Sequence, residues 1–173
     1  MNLHLVDINN ELVDAWSREF SEFESVSVLQ SDILKVAKNT IVSPANSYGF
    51  MDGGIDRMYT EYFGLLPQTM LQERIKHREE GYLPVGASIL VHTGHQEIPY
   101  MIAAPTMITP SAIPPSNCFY AMAAVLQAAE RNSKVVTDVY CPGLGTLTGR
   151  LDVDIAAKEM AHAYSKWLSI QGE

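Results

Sequence analysis

One segment constrains this chain more than any other: Thr40-Ile41-Val42-Ser43-Pro44-Ala45-Asn46-Ser47-Tyr48-Gly49-Phe50-Met51-Asp52-Gly53-Gly54-Ile55-Asp56. It opens apolar and β-favouring, passes into Pro, Asn, Ser and Gly, and ends where a helix can begin. A strand running through a glycine loop into a helix sets backbone N–H groups at the strand's C-terminal edge. Open α/β sheets bind ligands there, and anions in particular. A second glycine loop, Pro142-Gly143-Leu144-Gly145-Thr146-Leu147-Thr148-Gly149, lies near the other end of the chain. The two loops are expected to close over one phosphate-bearing ligand.

The rest of the pattern alternates strand and helix. Strands are expected at Leu3 to Ile8, Val26 to Gln30, Thr40 to Ser43, Val85 to Thr93, Pro99 to Ala104 and Val135 to Cys141. Helices are expected after Asn9, from Gly54 to about Phe63, from Gln68 to Glu80, after a Ser116 cap, and after an Asp152 cap. Gly64 and Pro67 read as punctuation, and the four prolines between Pro105 and Pro115 mark a loop. Alternation with one β-β stretch favours an α/β fold, a mostly parallel sheet covered by helices on both faces. At 173 residues, with no repeat or linker, residues 1–173 read as one domain.

Composition excludes several classes. A hydrophobic content of 47% argues against disorder, and no apolar run approaches the roughly 20 residues of a membrane helix. No basic-then-apolar leader is visible, so a cytoplasmic location is the default expectation. The formal net charge of −8, without a basic cluster, argues against nonspecific nucleic-acid binding. A small phosphate ligand stays compatible, because backbone amides hold anions without Lys or Arg. Cys118 and Cys141 read as buried free thiols.

Most catalytic signatures are missing. There is no G-x-S-x-G, H-E-x-x-H, C-x-x-C or P-loop lysine, and His92 and His95 straddle a turn without a third ligand, so no metal or cofactor is expected. The loop Gly143 to Gly149 superficially suggests a dinucleotide fingerprint, but too little chain follows it. In the first loop Asn46 offers donors and acceptors suited to sugar hydroxyls. Asp56 has two readings: a charge at a helix N-terminus, or a carboxylate that orients or deprotonates water. Tyr48 and Phe50 read either as an aromatic wall or as core.

Ser43-Pro44-Ala45-Asn46-Ser47 followed by Asp52-Gly53-Gly54-Ile55-Asp56 resembles the macro domain motif, in which Asn-Ala-Ala-Asn-Ser runs into Gly-Gly-Gly-Gly-Val-Asp. Asn46 falls on the second Asn and Asp56 on the family's Asp, without a gap. Upstream, Ser31-Asp32-Ile33 resembles the family's Gly-Asp-Ile; downstream, Pro142 to Thr146 resembles its Pro-Ala-Ile-Gly-Thr. Three motifs in order are far more specific than one glycine loop.

The resemblance implies a three-layer α/β/α sandwich with a mixed, mostly parallel central sheet, and ADP-ribose or an ADP-ribosylated macromolecule as partner. It implies that Asp32 accepts from the adenine amino group with the Ile33 amide beside it, and that Asn46 binds the distal ribose. Gly53, Gly54 and Ile55 would form part of the loop around the diphosphate and distal ribose, and Gly143, Leu144, Gly145, Thr146, Leu147 and Thr148 would offer amides to the phosphates. Asp56 matches the residue that activates water in hydrolytic members, so Asn46 and Asp56 are the catalytic candidates for cleaving a bond at the distal ribose. The alternatives are a reader of ADP-ribose or a related nucleotide metabolite without turnover, and a macro-like scaffold whose pocket takes another ligand or is closed by Met51 and Asp52. Ser43, Pro44, Met51 and Asp52 depart from the motif.

Overall fold

The computed structural model describes residues 1–172. Strands β1 (Asn2–Asp7), β2 (Val26–Gln30), β3 (Thr40–Ser43), β4 (Ile89–His92), β5 (Tyr100–Ala103) and β6 (Asp138–Cys141) form one sheet in the order β2-β1-β6-β3-β5-β4. All neighbours run parallel except β4 and β5, the β-β stretch, which pair antiparallel at one edge. The helices are α1 (Asn10–Glu19), α2 (Ile33–Val36), α3 (Gly54–Phe63), α4 (Leu66–Lys76), α5 (Pro115–Arg131) and α6 (Val153–Gln171).

Strand alternation divides the core between the two faces of the sheet. Leu3, Leu5, Val42, Ile102 and Val139 point to one face, where they meet Leu12 and Trp16 of α1 and the Ala-rich inner sides of α5 and α6. Val6, Ile41, Met101 and Ala103 point to the other, where Ile33, Tyr59, Leu71 and Ile75 of α2, α3 and α4 cover them. Burial on both faces is why the central strands carry consecutive apolar residues, Leu5-Val6, Ile41-Val42 and Met101-Ile102-Ala103. Helices on either side of a mixed sheet make the expected three-layer sandwich.

Local chemistry sets most helix starts. The Asn9 side chain accepts from the Glu11 and Leu12 amides, and Asp152 accepts from Asp154 N–H. Three expectations are corrected. Helix α5 begins at Pro115 rather than after a Ser116 cap, because proline's fixed φ and missing N–H suit the first turn. Pro67 likewise lies in the first turn of α4 instead of separating two elements, and α4 ends at Lys76, short of Gly81. Among the described residues, no helix is long and apolar enough to cross a membrane.

Candidate functional site

Strands β3 and β6 are immediate neighbours, Thr40 opposite Val139 and Ile41 opposite Tyr140, and they run parallel. Their C-terminal ends therefore open on the same edge, and the two glycine loops face each other across it. Between them lies a cleft with about 640 Å³ of empty space, part of it open to solvent. The first loop contributes Asn46, Phe50 and Asp52 to Asp56; the second contributes Gly143 and Gly145 to Gly149. Thr106, Met107 and Pro110 complete the wall from the proline-rich loop after β5.

The first loop is built by Asn46. Its Oδ1 accepts from the amides of Tyr48 at 3.0 Å and Phe50 at 3.4 Å, while its Nδ2 donates to the Phe50 carbonyl at 3.1 Å. The side chain expected to meet a ribose is thus committed largely to shaping the loop. Next to it, the Ser47 amide donates to the carbonyls of Met107 and Ile108, which anchors the proline-rich wall. Met51 turns into the core, its amide donating to Gln68 Oε1 at 2.7 Å and its carbonyl accepting from the Thr60 hydroxyl. Met51 therefore does not close the cleft. Asp52 stands exposed on its rim, and Phe50 is an exposed wall residue rather than core.

Gly53 caps α3 with no side chain to spend on the first-turn amides, and Gly54 follows at φ +55. The opening N–H groups of a helix have no intrahelical acceptor, so the start of α3 offers them to the cleft. Asp56, in that first turn, is 7% exposed, and the hydroxyl of Ser43 donates to its Oδ1 at 2.5 Å. Burial pushes its carboxyl up to about 7, opposed by the Ser43 hydrogen bond and reinforced by the negative charge of Asp52. Among the described residues no buried side-chain polar atom is left unpaired, so Oδ2, which takes no hydrogen bond from the protein, keeps contact with solvent where Asp56 lines the cleft. The carboxylate is neither a helix cap nor a surface charge.

The second loop is folded so tightly that its glycines are obligatory. A Cβ on Gly145, at φ +79, would stand 2.6 Å from Ile113 Cδ1, and one on Gly149 would stand 2.6 Å from the Gly145 carbonyl oxygen. Leu151 N–H closes the turn on the Gly145 carbonyl. The Gly143 amide donates to Asp7 Oδ2 at 3.1 Å. The amides from Gly145 to Gly149 find no acceptor among the described residues. Successive unpaired amides on a glycine loop form an anion cradle.

Not every expected site residue reaches this cleft. Asp32 caps α2 by accepting from Leu34 N–H at 3.0 Å, and Ile33 is buried against the core; both follow β2 at the same sheet edge, but neither lines the cleft. Leu144 packs its side chain into the core beneath the loop. Asp7, Thr106, Met107 and Pro110 lie outside the residues the sequence singles out. Asp7 carries no motif, but its place at the end of a predicted strand was a usable signal. The proline-rich loop was legible as a loop, and only its position after a strand parallel to β3 made it a wall.

The fold and cleft define a class: a mixed α/β sandwich with an amide-lined cleft at the C-terminal edge of its sheet. The chain belongs to the macro-like domain family, whose model it matches over residues 24–171. An uncharacterized protein of Aquifex aeolicus is 30% identical over 144 residues, which covers 82% of this chain and 82% of the relative. Among solved structures, the macrodomain of Mycobacterium tuberculosis DarG is 19% identical with a TM-score of 0.67, over 79% of this chain and 88% of its own. The Oceanobacillus iheyensis macrodomain with ADP is 18% identical with a TM-score of 0.68, over 80% and 73%. At those identities the likeness shows the shared fold.

Proposed function

We propose that the cleft holds the diphosphate of ADP-ribose, free or attached to a macromolecule, and that Asp56 activates water against a bond at the distal ribose. The carrying observation is the run of unpaired amides from Gly145 to Gly149 facing the N-terminus of α3. A diphosphate satisfies both sets of donors at once, and the only charged side chains on the described lining are Asp52 and Asp56. Neutral donors hold the anion, which suits an acidic protein. That a neighbour of the same fold was solved with ADP, and a variant of it with ADPR, supports a ligand of this kind.

Asp56 supports the enzymatic half. It is the one buried carboxylate on the cleft, and a carboxyl poised near 7 interconverts between acid and base at neutral pH. Asn46 acts on this reading by holding the loop shape, with its remaining amide hydrogen toward the ligand. The domain works as one unit, residues 1–173, because its two half-cores share one sheet, and it acts in the cytoplasm.

Calorimetric titration with ADP-ribose, ADP and inorganic phosphate tests the binding half. ADP-ribose is expected to bind most tightly and, at about 100 times Kd, to add roughly 2.7 kcal/mol of stability. No heat and no thermal shift at millimolar ADP-ribose would sink the proposal. For catalysis, wild type and Asp56→Ala are compared on mono-ADP-ribosylated protein, ADP-ribosylated DNA and ADP-ribose 1″-phosphate. A loss of about 10²-fold or more in Asp56→Ala is expected for a general base.

The second reading is a binding module without turnover. Asn46 favours it, since its side chain is spent on its own loop. Tight ADP-ribose binding by wild type, with none of the three substrates consumed, selects that reading.

A further inference from the structure

Ser43 stands where the family motif has Asn, and the structure gives that departure a consequence. It is the last residue of β3, with no exposed surface, and its hydroxyl reaches Asp56 thirteen residues further on, across the strand–loop–helix unit. The other groups around Asp56 are arranged so that Ser43 alone holds it. The hydroxyl of Tyr59, one turn along α3, donates to the Val42 carbonyl at 3.0 Å and not to the carboxylate. Asp52 on the loop faces Asp56 as a like charge. The further groups that act on Tyr59 through space, Cys141, Asp7 and Asp32, carry no positive charge. The hydroxyl on β3 is the single side-chain donor to the carboxylate among the described residues.

We propose that Ser43 is the positioning residue of this site: its hydroxyl fixes the orientation of the Asp56 carboxylate, occupies Oδ1, and leaves Oδ2 as the one oxygen presented to the cleft. Its catalytic meaning rests on the hydrolase reading above. A Ser hydroxyl is short enough to sit fully buried between strand and helix, and rigid enough to select one carboxylate rotamer. Because it donates to the charged form, it also keeps Asp56 ionisable despite its burial, against the opposing charge of Asp52. The two neighbours pull in opposite directions, which makes the arrangement testable from both sides.

The experiment compares wild type with Ser43→Ala, Ser43→Cys, Ser43→Thr and Asp52→Asn, each verified as folded by thermal melting. The first readout is the titration of the Asp56 carboxyl carbon by NMR; the second is the pH profile of kcat on whichever substrate wild type turns over; the third is Kd for ADP-ribose. Loss of the hydroxyl in Ser43→Ala is expected to move the Asp56 midpoint and the kcat midpoint upward together by about one pH unit or more, with Kd within about twofold. Ser43→Cys, which keeps the volume with a weak donor, moves the same way, and Ser43→Thr restores the wild-type midpoint. Asp52→Asn moves it downward. Activity lost at pH 7 in Ser43→Ala then returns at higher pH, which simple damage to the fold would not give.

An Asp56 midpoint unchanged in both Ser43→Ala and Ser43→Cys overturns the proposal. The carboxyl titration needs no turnover, so it decides the Ser43–Asp56 coupling even where wild type binds ADP-ribose and hydrolyses nothing, a result that would sink only the hydrolase reading.

Discussion

The carboxylate of Asp7 accepts the amide of Gly143 at 3.1 Å, tying the end of β1 to the first glycine of the second loop. Its other oxygen takes the Asn9 amide at 2.9 Å, so one side chain fixes both the entry to α1 and the base of the cradle. The cost is that Gly143 N–H is withdrawn from any ligand, and the cradle begins in effect at Gly145.

Asp7→Ala is expected to destabilise the protein by about 1.5–3 kcal/mol, the range for losing a hydrogen bond to a charged group. It should also weaken ADP-ribose binding, since the released loop loses its preset shape. Asp7→Asn, which keeps an acceptor, should fall between wild type and Asp7→Ala. Urea denaturation and calorimetry on the three proteins check both parts; equal stability of all three would remove Asp7 from the site.

Positive φ is shared by two cleft glycines, but the space around them differs. Gly54 sits at φ +55 with nothing within 4 Å of where a Cβ would stand, whereas at Gly145 a Cβ would press on Ile113 and Leu151. Gly54→Ala should therefore cost only the backbone strain, about 1 kcal/mol, and Gly145→Ala roughly 2–4 kcal/mol. Chemical denaturation orders the two. A larger loss for Gly54→Ala would contradict the packing.

Asn46→Ala removes two acceptors' worth of loop bonding as well as the donor to Phe50. Asn46→Ser keeps a shorter acceptor that can take the Tyr48 amide, as hydroxyls do more weakly than Asn, and adds no charge. If Asn46 acts by shaping the loop, Asn46→Ser keeps ADP-ribose affinity within about threefold while Asn46→Ala loses tenfold or more. Titration calorimetry on both variants checks it, and equal losses would shift the role to direct contact with the ligand.

Stability should depend on pH through Asp56. Its folded carboxyl is raised from 3.8 to about 7, so between those values the folded state holds a proton that the unfolded chain releases. Stability from this group is full below about 3.8 and is lost as pH rises through 7. The shift corresponds to an upper bound on the order of 4 kcal/mol. Asp56→Asn, neutral at every pH, should remove that dependence and gain most over wild type near pH 8. Denaturation of both proteins at pH 5 and pH 8 tests the sign.

The sheet was legible from the chain because its strands are short apolar runs punctuated by Gly, Pro and capping residues. Val26 to Gln30 and Thr40 to Ser43 fall where periodicity puts them. The motif segment was legible for the same local reason: glycines at a strand-to-helix turn announce backbone that must come close to something. Helix starts governed by proline were less legible. The residue that forbids a helix interior also suits its first turn, and only packing decides which applies at Pro67 and Pro115.

By itself, then, the sequence determined the alternating α/β pattern, the two glycine loops and the candidate carboxylate, all of which depend on neighbours within a few residues. Tertiary structure decided the rest. Pairing β6 beside β3 set the loops face to face, pairing β1 beside β6 brought Asp7 to Gly143, and packing α3 back on β3 placed Ser43 on Asp56. It also spent Asn46 on its own loop and buried Leu144 beneath the cradle. Hydrogen bonds between strand ends, and the burial that moves a carboxyl to about 7, depend on strand order in space, which no local periodicity encodes.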